Sequence, residues 1–160
     1  VSPVECYIDL LDRTDGRAVV DWPVMNQDEA AIAEMLRSTV TILGLADAGA
    51  HATQIMDASQ PTYLLTHWVG ERGLLTLEEA VRKMTALPAQ SFRLQGRGEL
   101  KPGFVADIVI FDPAKVSDPS TYDDPHHYAR GVEHVLVNGT IAVAGGEHTG
   151  ARTGRHLLRS

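Results

Sequence analysis

Hydrophobic residues follow two different patterns along this chain, and the change falls near residue 95. Before it, apolar residues recur at helical spacing, and a mostly apolar run at residues 40–45 stands between two of the helical stretches. A run of that length predicts a strand buried on both faces, as in the parallel sheets of α/β proteins. After it, glycines and prolines separate short apolar runs, which predict β structure. We therefore predict an α/β region over residues 1–94 and a β region over residues 95–160.

Two of the helical stretches flank the apolar run. Residues 28–38 place apolar side chains on one face, and Asn26 or Asp28 can cap the start of this helix. The next helix begins at Ser59–Pro61, because proline is tolerated in a first helical turn. Its apolar stripe ends near Gly70 or Gly73.

A third helix has the most specific start signal in the chain. Thr76 and Glu79 have the spacing of a capping box, in which each side chain accepts a hydrogen bond from the other residue's backbone N–H. Pro88 is predicted to end or kink this helix. Residues 1–27 are much less informative, and they predict only a short strand at residues 18–20.

The β region contains a strong hairpin signal. Residues 132–137 and 140–144 alternate like strands, and Asn138–Gly139 between them suits a type I′ turn, which requires two positive φ angles. A further strand is predicted over Phe104–Phe111. Asp107 interrupts it, which indicates either a position near a sheet edge or a local hydrogen-bond donor for the carboxylate.

Composition and charge exclude several classes of function. A formal net charge of -7 without basic clusters argues against nucleic acid and anionic membranes as partners. No apolar segment reaches the roughly 18 residues that a membrane-spanning helix needs. The single cysteine, Cys6, excludes an internal disulfide and fits a reducing cytoplasm. Its apolar neighbours predict a buried, structural thiol.

The candidate chemistry lies where the apolar run ends. Asp47 follows the run, three small residues come next, and His51 closes the segment. Catalytic groups in parallel α/β folds collect where strands end and loops begin. Asp47 is therefore a candidate general base or metal ligand. The alternative at this stage is an Asx turn or a helix cap, which an aspartate after a strand often forms.

Three parts of the chain resemble the C-terminal part of the amidohydrolase superfamily, and within it the branch of N-acyl-D-amino-acid deacylases (D-aminoacylases). They are the segment GLADAGAH (residues 44–51), the helical stretches at residues 59–68 and 77–85, and the return into a small β-domain at residues 96–112 and 137–139. The last of these is shared by many amidohydrolases, whereas the first is narrower.

The resemblance implies a metal-dependent (β/α)8 TIM barrel with a small β-sandwich domain beside it. Zinc or another divalent metal activates a water in that family. By position, Asp47 would be the general base and acid and a candidate metal contact, since a carboxylate can accept a proton and touch a cation. His51 would contact the substrate or support the site, the alternative being a loop histidine bonded to backbone. The implied reaction is hydrolysis of a linear amide, such as an N-acyl-D-amino acid.

The same resemblance predicts that the chain is a fragment. A (β/α)8 barrel needs at least ~200 residues, whereas this chain has 160 and begins at Val1. The family's His-x-His metal ligands are absent from its sequence, so the fragment by itself is expected to hold no metal. It would comprise the last barrel strands and the C-terminal strands of the β-domain. Strands that lack their partners favour self-association, so we expect a homo-oligomer.

Two rival functions stay open. One is a cyclic amide hydrolase of the hydantoinase or dihydroorotase type. The other is a catalytically inactive fragment that acts only as a folded, self-associating scaffold.

Other polar residues are weaker candidates for a functional role. Asp57 is an alternative site residue in the loop before a helix. The adjacent pair His126–His127 lacks a third ligand nearby, and a solvated loop is the better interpretation. The remaining candidates are predicted to be structural or solvent-facing: His67 in a helix, His134 facing solvent, and Arg97 with Asp107 stabilising the β-domain.

Overall fold

The computed structural model describes residues 1–18, 20, 26–46, 57–121 and 124–157. Its contacts divide the chain into two compact units, residues 1–32 and residues 33–160. The domain boundary predicted near residue 94 stays a prediction. Helices in the described ranges are α1 (Pro3–Arg13), α2 (Glu29–Arg37), a 3₁₀ turn (Asp57–Ser59), α3 (Gln60–Tyr63), a π-helix (Leu64–Glu71), α4 (Leu77–Met84) and α5 (Ala86–Ser91).

Helix α1 is an element that the apolar pattern did not reveal. Ser2 caps it: the Ser2 hydroxyl accepts from the Glu5 N–H at 3.2 Å, and the Glu5 carboxylate accepts from the Ser2 N–H at 2.8 Å. Pro3 follows the cap, where its missing N–H costs nothing. The sequence signal was therefore this capping box and its proline. The strand predicted at 18–20 is wrong for Ala18 and Val20, which lie outside regular structure, and Val19 is outside the described residues.

The prediction that Cys6 is buried is wrong, because Cys6 is exposed on α1. The prediction treated Cys6, Tyr7 and Ile8 as one core segment. In the structure, however, Tyr7 and Ile8 are themselves 54% and 57% exposed, and α1 buries none of its residues. Apolar neighbours in sequence do not by themselves bury a side chain, because burial needs another element packed against the helix.

Helix α2 confirms the prediction for residues 28–38. One Asp28 carboxylate oxygen accepts from the backbone N–H groups of Ala30 (2.9 Å) and Ala31 (3.2 Å). Of the two predicted candidates, Asn26 and Asp28, it is Asp28 that caps the helix. Its carboxylate satisfies backbone N–H groups of the first turn that have no partner within the helix.

The strand predicted over residues 40–45 is not formed. Residues 41–46 have no helix or strand conformation, and the side chains of Val40 and Leu45 are 90% and 87% exposed. A parallel strand receives its hydrogen bonds from strands separated from it by crossover connections. The described part of the chain supplies no parallel strand beside these residues, so their apolar pattern has nothing to pair with.

The buried side chains of the second unit lie mainly in its helical part. Leu64 and Trp68 on the π-helix are 3% and 6% exposed, and Ala80 on α4 is fully buried. The stripe predicted from Ser59 to Gly70 is therefore a real buried face. Its π-helical winding was not predicted, because a period of about four residues does not distinguish α from π geometry.

Helix α4 begins at the predicted capping box. The Thr76 hydroxyl accepts from the Glu79 N–H at 3.2 Å, and the Glu79 carboxylate accepts from the Thr76 N–H at 2.8 Å. The predicted stop is misplaced: the helix breaks at Thr85, and Pro88 lies in the first turn of α5. Proline is tolerated there because first-turn N–H groups have no partner within the helix.

The sheet contains four antiparallel strands in the order β1-β2-β3-β4, and both predicted hairpin strands are confirmed with their boundaries. Asn138 and Gly139 have φ angles of 50° and 80°, as the type I′ turn requires. The strand predicted at 104–111 forms only in its second half. The strands are β1 (Ile108–Phe111), β2 (Val132–Val137), β3 (Thr140–Ala144) and β4 (Glu147–His148).

Backbone hydrogen bonds join two parts of the long connection from β1 to β2. Ser117 and Arg130 exchange two backbone hydrogen bonds, of 3.3 and 2.8 Å. Gly131 follows with a φ of +80°, and a Cβ built there would lie 2.5 Å from the backbone of Lys115 and Val116. Only glycine allows so close an approach, and it brings Val116 into a buried position.

None of the described helices has both the length and the apolar content that a membrane span requires.

Candidate functional site

The two residues with the strongest sequence claim, Asp47 and His51, lie outside the described residues. The structure does describe the chain on both sides of them, up to Ala46 and again from Asp57. Asp57, the weaker alternative, begins the 3₁₀ turn Asp57–Ser59. The geometry of the candidate site is therefore given by how these two ends are held.

The end that leads into the segment is anchored between two helices. The Thr41 hydroxyl donates to the Met35 carbonyl of α2 at 2.5 Å. The Lys83 ammonium group on α4 donates to the Ser38 carbonyl at 3.1 Å. The Ser38 carbonyl also accepts from the Thr41 hydroxyl at 3.5 Å, and a charged donor such as Lys83 forms one of the stronger types of hydrogen bond. Residues 38–41 are thus bonded to both helices, although residues 42–46 have no regular structure.

The end that leaves the segment is held by the polar loop of the β region. The Asp118 carboxylate accepts from the Ser120 N–H at 2.9 Å and interacts with the Ser59 side chain. Partial burial alone would raise the pKa of Asp118, but the hydrogen bonds from Ser120 and Ser59, with the charge of His127, outweigh it and lower the pKa. Asp118 was not singled out from sequence, where only the turn-forming Asp-Pro-Ser motif marks it.

His67 lies at the centre of a polar cluster on the π-helix. Its Nδ1 is 2.7 Å from a Glu71 carboxylate oxygen, and its Nε2 accepts from Arg72 Nε at 3.3 Å. The imidazole stacks on Tyr63 with ring centroids 4.8 Å apart, and the Trp68 ring meets it edge-on at 5.0 Å. Since Arg72 Nε can only donate, this arrangement assigns the proton of a neutral imidazole to Nδ1.

This arrangement agrees with the structural role predicted for His67. Both ring nitrogens already have protein partners, and only 14% of the side chain is exposed. A metal ligand or general base needs one nitrogen directed at the metal or substrate. The cluster is better suited to stabilising the π-helix, which follows the 3₁₀ turn Asp57–Ser59 and α3 along the chain.

In the histidine pair of the polar loop, His127 has an acidic partner nearby in sequence. His127 Nε2 is 2.7 Å from a carboxylate oxygen of Asp124, three residues earlier. Among the residues that the structure describes, no three His, Cys, Asp or Glu side chains lie close enough together to hold a metal ion. The described residues therefore do not fit a zinc site by themselves, since such a site needs at least three protein ligands.

His134 does not face solvent as predicted. It is half-buried on β2, and its Nδ1 is buried without a hydrogen-bond partner in the described structure. The prediction considered β2 alone, whereas β2 lies between β1 and β3 in the sheet, where His134 pairs with Ile110 on one side and with Ala144 on the other. His134 lines an open cleft of about 610 Å³ with Lys115 and Arg130.

Arg97 and Asp107 form an ion pair, which agrees with their predicted role in the β region. Their partners were not predicted. The second Asp107 oxygen accepts from the Asn138 N–H at 2.8 Å, and the Arg97 guanidinium donates to Asn138 Oδ1 at 2.8 Å. Asn138 Nδ2 in turn donates to the Thr153 carbonyl. This group of four residues, the clasp, joins the strand entrance, the hairpin turn and the C-terminal segment.

Comparison with known proteins gives one family for most of the chain. The profile of the amidohydrolase family matches residues 7–143. The chain is 44% identical over 97 residues to the D-aminoacylase of Alcaligenes xylosoxydans xylosoxydans, which covers 61% of this chain and 20% of the relative. It is 50% identical over 98 residues to the N-acyl-D-glutamate deacylase of the same organism, with the same coverage.

A dihydroorotase is similar over a shorter part of the chain. The enzyme of Endomicrobium trichonymphae is 47% identical over 49 residues, which cover 31% of this chain and 12% of the relative. The chain thus spans about a fifth or less of the curated relatives that it matches.

Solved structures give the same similarity. A crystal structure of D-aminoacylase matches with a TM-score of 0.58 and 42% identity, covering 59% of this chain and 20% of that one. The N-acyl-D-glutamate deacylase of Bordetella bronchiseptica, complexed with zinc and a phosphonate mimic of the tetrahedral intermediate, matches with a TM-score of 0.50 and 48% identity. That match covers 51% of this chain and 17% of the other.

Proposed function

This chain belongs to the amidohydrolase family, and we propose that it is the C-terminal portion of a metal-dependent enzyme that hydrolyses N-acyl-D-amino acids. The observation that carries this proposal is the identity of 44–50% to deacylases of this specificity over 61% of the chain. In this proposal the helices are the last of a (β/α)8 barrel, and the sheet is part of the β-sandwich beside it.

Two observations favour a linear over a cyclic amide. The deacylase matches extend over 97 and 98 residues, whereas the dihydroorotase matches extend over 45–61 residues. The segment GLADAGAH, which contains Asp47, is also the part of the sequence that most resembles the deacylase branch. We therefore keep the cyclic amide hydrolase as the second candidate.

We assign Asp47 as the general base and acid. It would accept a proton from the attacking water and pass it to the departing amine, and a carboxylate suits this role because it can accept a proton and touch a cation at once. The anchors described above support this role: Lys83 and Thr41 hold the chain before Asp47, and Ser59 with Asp118 holds the chain after it. His51 would contact substrate or support Asp47.

Zinc or another divalent metal belongs to the proposal for the longer enzyme, where it would supply the activated water. Its ligands would come chiefly from parts of the enzyme outside this chain. The 160-residue chain by itself would then be inactive, which is also what the scaffold hypothesis predicts for it.

The first experiment compares the two chains side by side. The longer gene product and the 160-residue chain are assayed with N-acetyl-D-amino acids, the L-enantiomers and dihydroorotate, and zinc is quantified in both. We expect D-selective hydrolysis and bound metal only in the longer protein. Turnover of dihydroorotate instead would support the cyclic amide hydrolase. A longer protein without metal or activity would support the scaffold function.

Asp47 is tested in the longer enzyme by Asp47→Asn, which keeps the shape but cannot accept the proton. We expect kcat to fall by about 10²–10⁴-fold, with an unchanged thermal midpoint and KM. Asp57→Asn is the matched control and should retain activity. Full activity in Asp47→Asn would remove Asp47 from the mechanism.

Self-association remains part of the proposal. β1 is an edge strand of the described sheet, and Val109 and Ile110, on opposite faces of it, are both largely exposed. Such an edge favours pairing with another strand. We expect the 160-residue chain to elute as a dimer in light-scattering chromatography, and a monodisperse monomer would contradict this.

A further inference from the structure

Asn138–Gly139 is the dipeptide of the described hairpin that is most prone to chemical modification. Asparagine is thermolabile because the backbone nitrogen of the next residue can attack its side-chain carbonyl carbon. A glycine in that next position leaves the nitrogen unhindered. Both residues lie at a turn, and Gly139 is exposed.

We propose that Asn138 is a latent deamidation site whose reaction is held back by the clasp. In the reaction, the Gly139 nitrogen loses its proton and bonds to Asn138 Cγ. The Cγ–Nδ2 bond breaks, ammonia leaves, and a succinimide ring forms. Water then opens the ring at either carbonyl to give aspartate or isoaspartate. The inference does not depend on the proposed catalytic function.

The clasp hinders the first step by restraining the atom that is attacked, Asn138 Cγ. Cγ must rotate toward the Gly139 nitrogen, but the amide group that carries it is held at both ends. Oδ1 accepts from the Arg97 guanidinium at 2.8 Å, and Nδ2 donates to the Thr153 carbonyl. The Arg97 side chain is only 15% exposed, so water competes poorly for its hydrogen bonds.

The nucleophile is held as well. The Gly139 N–H donates to the Ala106 carbonyl at 2.9 Å, which keeps its proton and lone pair away from Cγ. The Asn138 N–H donates to Asp107 at 2.8 Å and fixes the turn from its other side. Succinimide formation therefore requires local opening of the turn, in which several hydrogen bonds break together.

Modification would prevent the clasp from forming again. Conversion to aspartate replaces the Nδ2 donor by an acceptor facing the Thr153 carbonyl, which leaves two acceptors opposed. Conversion to isoaspartate adds a backbone carbon to a turn whose two-residue length sets the register of β2 and β3. Each opening event that leads to reaction would consequently be irreversible.

The test follows isoaspartate and aspartate at position 138 by peptide mapping during incubation at mildly alkaline pH. The rates are compared for the native chain, the chain unfolded in guanidinium chloride, and Arg97→Lys. We expect the unfolded chain to react at least roughly tenfold faster than the native chain, because local opening limits the native rate. Arg97→Lys keeps the charge but loses the planar fork, and we expect acceleration of several-fold.

Lys101→Gln is the matched control, because Lys101 forms an exposed ion pair with Glu99 outside the clasp. It should deamidate at the native rate. Circular dichroism establishes that each variant is folded before its rate is compared. Equal rates in native and unfolded wild type would overturn the protection, and a folded Arg97→Lys with the native rate would overturn the role of the clasp.

Discussion

The hairpin β2–β3 and the apolar run at residues 40–45 both have patterns that predict β structure, and they have opposite outcomes. The hairpin forms with the predicted boundaries, whereas residues 41–46 have no strand structure. The hairpin finds its hydrogen-bonding partner across a two-residue turn. A parallel strand depends on neighbours beyond crossover connections, so the same local pattern is insufficient by itself.

The helices between these two regions are predicted only in part by the local sequence. Capping boxes and proline positions predict where they begin, because those signals act within one turn. Their stability comes from packing: Leu64, Trp68 and Ala80 are buried between the π-helix and its neighbours. We therefore expect the helices and the sheet to provide most of the stability of this chain, and the run at residues 40–45 to contribute little.

The largest expected loss comes from Trp68→Ala. Trp68 is 6% exposed, and removing a buried tryptophan costs about 3–5 kcal/mol of unfolding free energy. Phe92→Ala is the control, since Phe92 is 59% exposed. Urea unfolding measures both. Similar losses in the two variants would mean that the π-helix face is not a core.

A smaller loss is expected where α5 meets the entrance to the sheet. A Cβ at Gly98 would lie 2.7 Å from Ala89 Cβ and 2.9 Å from the Thr85 carbonyl, at a φ of +82°. Gly98→Ala should cost about 3 kcal/mol through the clash and the left-handed backbone together.

Gly103 is the matched control for Gly98, with a φ of +83° and no heavy atom within 4 Å of the position that a Cβ would take. Gly103→Ala should cost about 1–2 kcal/mol, from backbone strain alone. Equal thermal midpoints for the two alanine variants would show that helix and sheet entrance are not in contact as described.

Asp118→Asn tests the connection between the β region and the end of the candidate segment. Hydrogen bonds lower the pKa of Asp118 in the folded state, so its charged form stabilises the fold above the ordinary pKa of 3.8. That stabilisation is lost as pH falls from this value through the lower pKa of the folded state. We expect the variant to lose at most about 1 kcal/mol at neutral pH, and the difference from wild type to shrink at acid pH.

The urea midpoint at the two pH values measures this effect. Glu34→Gln is its control, because Glu34 is exposed on α2 and its substitution should leave the midpoint unchanged. A difference for Asp118→Asn that grows on acidification has the wrong sign and would exclude the proposed role.

The smallest effect is expected for Leu45→Ala. With its side chain 87% exposed, the substitution should change the unfolding free energy of this chain by less than about 0.5 kcal/mol. In the longer enzyme, where the run is proposed to be a buried barrel strand, Leu→Ala should cost about 2–5 kcal/mol. A large loss in the 160-residue chain would mean that the run is packed without any barrel.

By itself, the sequence determined the elements whose partners are nearby: the hairpin with its Asn-Gly turn, the capping box at Thr76, the Asp28 cap and, through short motifs, the family. Only the tertiary structure decided the break at Thr85, the exposure of Cys6, the burial of His134 and the joining of Arg97, Asp107, Asn138 and Thr153. Local signals act through hydrogen bonds within one turn of chain. Burial and long-range polar contacts instead join residues far apart in sequence, such as Arg97 and Asn138, which are separated by 41 positions. No periodicity in the sequence encodes such pairings, because they arise only when packing brings the segments together.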